Sequence, residues 1–361
     1  MGIEDLALWQ TNDFPIRHQG NVHSGKVRSI YWLDEKDSRR LAAEEHGISP
    51  DTQLGIMITS DRISAFDCNW RGENGLDGIP GKGAALNAIS KHWFNQFDKA
   101  GLAGNHVLGS PHPLVWIVQR AEPILVEAIA RKYLAGSMWR AYEKGVREFS
   151  SIRLHDGLKR NDPLPELLIT PTTKGILRGI PGVPESDDTN ITREQIERNY
   201  ERFGFKRPED VELYERLLKS GFELISEGLI SVGEVFADTK FELGYVKNGS
   251  RMIYIDEVGT PDSSRMWDLR AYARGRVVEN SKESFRQLLL RTLDGGILLD
   301  STRMPERKKL AETYRIPVEQ MMEISGIYRS MAEKITGASV PAVRNAREEI
   351  LDTLFGYGLV V

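Results

Sequence analysis

Asp238-Thr239-Lys240-Phe241-Glu242-Leu243-Gly244 alternates charged and apolar residues, and Ile255-Asp256-Glu257-Val258-Gly259-Thr260-Pro261-Asp262-Ser263-Ser264-Arg265 follows it after a short polar stretch. Successive side chains of a strand point to opposite faces, so Asp238, Lys240 and Glu242 share one face while Phe241 and Leu243 share the other. The apolar face belongs in a core. The charged face suits a divalent cation and a polyphosphate, because hard cations take carboxylate oxygens and phosphates take ammonium and guanidinium groups. Glu242 and Asp256 are the candidate Mg2+ ligands, and strand register decides whether they meet. A two-residue turn at Asn248-Gly249 puts Ile255 opposite Glu242 and aims Asp256 at the other face. A three-residue loop over 248–250, with Gly249 in the left-handed position, puts Asp256 opposite Glu242. Pairing of the two acids predicts that loop or an equivalent bulge.

The rest of the chain reads as a globular protein of mixed strands and helices. Its 361 residues are 40% hydrophobic and 28% charged, with a net charge of −4. This is ample material for a large bilobal molecule or about two domains. Acids and bases are interspersed, so no basic stripe points to a nucleic-acid partner. The single cysteine, Cys68, excludes an internal disulfide and a cysteine-based zinc site. It reads as a small buried hydrophobe in a chain of the reducing cytoplasm. Residues 1–6 carry neither the basic region nor the apolar run of a secretory signal, and no apolar run reaches transmembrane length.

Apolar and β-branched runs predict strands at 27–33, 54–59, 115–118 and 124–126. A helix is expected over 84–99. A short one is expected over 138–144, with Ser137 as its N-cap and Gly145 closing it. Residues 156–190, rich in Pro, Gly, Asp and Thr, read as a long loop. Residues 192–220 read as helical with an interruption at Arg207-Pro208, and the remainder from about 281 as helical with solvated charged faces, Arg307-Lys308-Lys309 among them.

Four further segments suggest ligand contact. Gly25-Lys26-Val27-Arg28 reads as a glycine-led strand whose two cations share a face, a device for covering nucleotide phosphates; an exposed pair on an edge strand is the plain alternative. Arg131-Lys132-Tyr133-Leu134-Ala135-Gly136-Ser137 leads into a helix N-terminus, where free N–H groups favour an anion. Ser60-Asp61-Arg62-Ile63-Ser64-Ala65-Phe66-Asp67 and Thr170-Pro171-Thr172-Thr173-Lys174 place polar groups at strand ends and turns. Gly78-Ile79-Pro80-Gly81-Lys82-Gly83 is not a P-loop, because Leu76 stands where the first glycine is needed and Gly83 where a hydroxyl is needed. No His-Glu-x-x-His or Gly-x-Ser-x-Gly pattern supports a hydrolase.

Taken in order, the segments at 25–28, 60–67, 131–139, 171–174, 238–244 and 256–267 resemble the SAICAR synthetase family in its longer form. The resemblance spans about 21–267 and returns weakly at 328–337. It implies an α+β, bilobal fold with a small antiparallel β lobe over a larger α+β lobe and ATP in the cleft. On this chain the division is expected as 1–120, covering ATP, and 121–361, carrying the substrate and Mg2+ sites and a helical extension. It implies an ATP-dependent ligase of purine biosynthesis, with ATP and Mg2+ as cofactors and carboxyaminoimidazole ribonucleotide and L-aspartate as small-molecule partners. No membrane or nucleic-acid partner is implied, and the sequence specifies neither a monomer nor a homo-oligomer.

Carried over by position, Lys26 and Arg28 are expected on the ATP phosphates, and Arg120 and Glu122 in the connector passing adenine. Lys240, Lys174 and Arg265 are expected at the reacting groups, and Glu242 and Asp256 on Mg2+. Asp61, Ser64, Ala65, Arg131, Ser137, Asp262, Ser263 and Arg265 are expected around the ribonucleotide. Ser29 departs from the family's usual Asp, and either Asp187 or Asp188 matches a family acid. A small-molecule kinase on a related fold is the competing reading, separated by whether ADP release requires both ribonucleotide and aspartate. A nucleotide-binding module without catalysis would be expected to lack Glu242 and Asp256.

Overall fold

The computed structural model describes residues 2–150, 152–246 and 251–360, which form two compact units. The first comprises Met1–Lys91, Val107–Arg120 and Asn280–Val361, and the second His92–His106 and Ala121–Glu279. This differs from a division at 120/121. Residues 280–361 join the first unit because they supply it with structure: Arg315–Ile316 runs parallel to Arg71 and Gly72, and Ser325 donates to the Pro80 carbonyl at 2.6 Å.

The first unit holds a five-stranded antiparallel sheet in the order His23–Ser24, Arg28–Trp32, Leu54–Thr59, Val115–Gln119, Val107–His112. Leu54–Thr59 is buried along its whole length, as a central strand covered on both faces must be. Burying its Leu, Ile and Met side chains contributes about 1.5–3 kcal/mol each. Beyond it, Ile63–Ala65 and Cys68–Gly72 form a hairpin whose turn residues, Phe66 and Asp67, both have positive φ. Cys68 is buried, as expected. Lys82, the lysine of the rejected P-loop pattern, is also fully buried, with Nζ 5.4 Å from the Tyr328 ring centre. It starts the helix Lys82–Lys99.

The second unit is organised by one thirteen-residue strand, Glu234–Val246, which pairs with Val126–Tyr133, Met252–Ile255, Ser264–Asp268 and Ala121–Pro123. Its apolar face behaves as the alternation requires: Phe241 and Leu243 are buried, and Phe241 meets the rings of Phe97 and Tyr254. Helix Asp210–Ser231 covers this unit's core with Tyr214, Leu217, Leu218, Phe222, Ile225 and Leu229, spacings of three and four that put one stripe inward. Part of the expected loop at 156–190 is instead extended: Pro163–Ile169 and Thr172–Thr173 both pair with Val126–Tyr133. The short helix is Gly136–Glu143, which starts two residues and ends one residue earlier than expected, so Ser137 lies inside it and Ala135 is the N-cap.

Candidate active site

Asp238, Lys240 and Glu242 do share a face, but they serve two clusters. The first is cationic. Register places Asp238 opposite both Arg131 on one neighbouring strand and Arg265 on the other. Its Oδ2 accepts from Arg265 Nη1 at 2.5 Å and Arg131 Nη1 at 3.2 Å, and its Oδ1 from the Arg265 backbone N–H at 3.2 Å. Burial alone would push this carboxyl up, but the two arginines outweigh it and hold it below the usual carboxylate range. Asp238 is therefore an ionised post that orients two guanidiniums. Arg131 also donates to Thr170 Oγ1 at 2.8 Å and Ser137 Oγ at 3.3 Å, and the charge of Arg140 reaches it. Gly136, with φ +58°, lies against the Arg265 guanidinium so closely that a Cβ would collide with it. Two guanidiniums and one hydroxyl thus gather beside a helix start.

The second cluster is built around Lys240. Its Nζ donates to Glu127 Oε1 at 2.6 Å and lies 3.4 Å from Glu242 Oε1, while Glu242 Oε2 accepts from Lys174. Glu127 Oε2 accepts from Thr172 Oγ1 at 3.2 Å. Burial would push the Lys240 ammonium down, but the charges of Glu242, Glu127 and Asp256 hold it above the usual lysine range. Lys240 is a fixed cation at neutral pH.

The expected register is corrected here. Ile255, and not Asp256, stands opposite Glu242; the loop at 248–250 lies outside the described residues. Asp256 sits just past the strand with φ +61°, a left-handed conformation that takes its side chain out of the strand's alternation. The buried His106 lies with Nε2 3.2 Å from the Asp256 carbonyl. Asp256 is half-buried and its charge reaches Lys240. Glu127 was missed by the sequence reading, although its signal was there. In 125–131 it is an acid in an alternating strand, on the same face as Arg131 and opposite the buried Val126, Ala128 and Ala130.

Asp262 and Ser263 lie in a turn capped by Thr260 Oγ1, which accepts from both of their N–H groups, and the Ser263 carbonyl accepts from the Lys240 N–H at 3.1 Å. Glu122 is exposed and paired with Lys206 at 2.5 Å. Among the family-acid candidates, Asp187 Oδ1 accepts from the Gly175 N–H at 2.8 Å.

In the first unit, Lys26 and Arg28 do not share a strand face. Lys26 and Val27 form the tip of the hairpin His23–Ser24/Arg28–Trp32, and the strand begins only at Arg28, which is buried. Lys26 pairs with Asp67 at 2.7 Å. Arg307, expected on a solvated face, is also buried, donating to the Ile297 carbonyl at 3.1 Å and lying 3.7 Å from Asp67. Burial pushes the Asp67 carboxyl up, but Lys26, Arg307 and Arg286 bring it below its usual range. Arg120 packs over the Trp32 ring and donates to Gln53 Oε1 at 2.7 Å. Ser64 and Ala65 are buried in the hairpin strand. Asp61 serves the fold: its oxygens accept from the N–H groups of Leu8 and Gly83, each at 2.8 Å, tying the N-terminal segment to the start of a helix. Burial pushes its carboxyl up to about 6 against those donors.

The α+β fold thus carries one acid–lysine cluster and one arginine cluster along a single strand. The chain belongs to the SAICAR synthetase family, whose model matches residues 21–296. A phosphoribosylaminoimidazole-succinocarboxamide synthase of Vibrio vulnificus is 56% identical over 366 residues, covering all of both chains. One of Shewanella frigidimarina is 58% identical over 359 residues, covering 98% of each. Among solved structures, a SAICAR synthase from Saccharomyces cerevisiae complexed with SAICAR shares the fold with a TM-score of 0.63 at 24% identity, covering 92% of this chain and 98% of its own. A type-2 SAICAR synthetase in complex with ADP matches with a TM-score of 0.58 at 20% identity, covering 88% and 99%. No described helix is long and apolar enough to cross a membrane.

Proposed function

We infer that this chain is an ATP-dependent ligase that joins L-aspartate to the carboxylate of carboxyaminoimidazole ribonucleotide, giving SAICAR, ADP and phosphate in purine biosynthesis. The observation that carries the reading is 56–58% identity along the whole chain to synthases named for that product. A carboxylate is a poor acyl donor until one oxygen becomes a leaving group. Its oxygen attacks the γ-phosphorus of ATP and the bond to ADP breaks. The aspartate amine then attacks the acyl carbon, the bond to phosphate breaks, and the amine loses a proton.

Such a transfer needs positioning and charge neutralisation above all. Lys240, held between Glu127 and Glu242, supplies a cation where charge builds on the transferring phosphoryl group, with Lys174 beside it. Arg131, Arg265 and Ser137 hold the ribonucleotide's anionic groups, with Asp262 and Ser263 in the turn that leads into the Arg265 strand. Lys26, at the exposed hairpin tip, meets the ATP phosphates, and the Arg120–Glu122 connector passes adenine. The single cysteine suits a cytoplasmic enzyme.

The donor set also fits Mg2+. Three carboxylates, Glu127, Glu242 and Asp256, act on Lys240. No group of three metal-ligating side chains stands together among the described residues. Mg2+ is commonly held by one or two carboxylates and completed by phosphate oxygens and water. Glu242 and Asp256 would hold it, and it would supply neutralisation of the β- and γ-phosphate charge. Glu242→Gln is expected to raise the Mg2+ concentration for half-maximal rate several-fold; an unaltered Mg2+ titration would remove Glu242 from this role. The reaction itself is tested by following ADP release with each of the three substrates omitted in turn. Release that needs all three is expected, and release without aspartate that yields a stable phosphorylated product would instead mark a kinase.

A further inference from the structure

Lys26 sits at the tip of a hairpin that does not close on itself. Ser24 pairs with Ser29 and the Gly25 N–H donates to the Arg28 carbonyl at 2.8 Å, while residues 26 and 27 form a bend with no hydrogen-bonded turn of their own. The Gly25 and Val27 carbonyls are instead taken by groups from outside the hairpin.

The holding groups come from the segment after Leu54–Thr59. Ser60 grips the Val27 carbonyl twice, through its N–H at 2.8 Å and its Oγ at 2.6 Å. Arg62 reaches the other side. Its Nη2 donates to the Gly25 carbonyl at 3.3 Å and to Thr11 Oγ1 at 3.4 Å, and its Nε donates to Ser60 Oγ at 3.0 Å. Arg62 is 8% exposed, and among the described residues no carboxylate pairs with it. Thr11 Oγ1 bonds Ser29 Oγ at 2.7 Å, so the position where the family's usual acid would stand offers a hydroxyl instead. A buried guanidinium without an acid costs stability. Every hydrogen bond of its side chain goes to the tip or to hydroxyls packed around the base of the hairpin.

We propose that Arg62 is a positioning residue for nucleotide binding, which fixes the Gly25-Lys26-Val27 turn so that Lys26 meets the ATP phosphates. The inference rests on the assignment of Lys26 to those phosphates. Arg62 touches no substrate itself; it acts through the Gly25 carbonyl and through Ser60.

The test is ADP and SAICAR binding to the full chain by calorimetry. Arg62→Met, which keeps the bulk and removes the donors, is expected to weaken ADP about tenfold, the scale of a lost hydrogen bond to a charged group, and to leave SAICAR within about twofold. Lys26→Ala is expected to weaken ADP comparably. Because the two act through one turn, the double variant should bind ADP no worse than about twofold below Lys26→Ala. Wild-type ADP affinity in Arg62→Met, equal losses for both ligands, or a double variant in which the two losses multiply would each overturn the proposal. Wild-type affinity in Lys26→Ala would overturn the phosphate assignment of Lys26, and the proposal with it. If Arg62→Met does not fold, Arg62→Lys carries the test, because one ammonium cannot replace the fork that reaches Gly25 and Ser60 together. A loss of about threefold in ADP affinity alone supports the proposal, and no loss or an equal loss for SAICAR overturns it.

Discussion

Lys240→Ala lowers turnover by about two orders of magnitude or more, the scale of removing one preorganised charge from a developing transition state. The expectation follows from how firmly the ammonium is placed. Glu127 holds it at 2.6 Å, Glu242 lies at 3.4 Å, and its backbone N–H is tied to the Ser263 carbonyl. The neighbouring acids keep its pKa above the usual lysine range, so its charge is constant from mildly acidic to mildly alkaline solution. The variant's deficit should therefore be flat through neutral and mildly alkaline solution and deepen only as the pH falls. Alanine also leaves Glu127, Glu242 and Asp256 without their shared cation, and like charges in one site push carboxyl pKa values up. Lys240→Arg restores charge but spreads it over a wider, planar group, and should recover only part of the rate. Turnover unchanged in Lys240→Ala would refute the role.

Arg265→Ala is expected to raise the Michaelis constant for the ribonucleotide about 10–100-fold, the loss of one or two charge-assisted hydrogen bonds, while the constant for ATP moves less than about twofold. Its guanidinium is held by Asp238, which is also held by Arg131. Removing Arg265 leaves Asp238 with a partner, so the chain should still fold. Steady-state kinetics with each substrate varied separates the outcomes, and a larger effect on ATP would move Arg265 to the nucleotide.

The strands with continuous apolar runs were legible in the sequence: Leu54–Thr59 appears with the bounds that its pattern predicts. So was the alternation around Phe241, because a strand with one apolar face has one way to bury it. Pro163–Ile169 was hidden by its prolines and acid, which read as loop; it pairs with a single neighbour and its register shifts between Pro163 and Leu168. Lys26 was placed on a strand because a glycine and alternation look alike at the end of a hairpin and inside it. Asp256 was expected opposite Glu242, where Ile255 stands, and no local residue choice announces its positive φ. Asp238 gained most: its place between two arginines depends on which strands flank it, which spacing alone does not encode.

The packing of 280–361 with the first unit bears on how the molecule is made. A ribosome delivers residues 92–106 and 121–279 before Arg315–Ile316 can line up beside Arg71, and before Val360 can bridge Ile16. At usual synthesis rates the interval is on the order of ten seconds. During that time the arginine and acid–lysine clusters have all of their sequence, while the unit that carries the Lys26 turn still lacks its last helices. The nascent chain thus has the sequence for both charge clusters before it can complete the unit bearing Lys26, and in the interval one edge of Cys68–Gly72 is left unpaired and open to other chains.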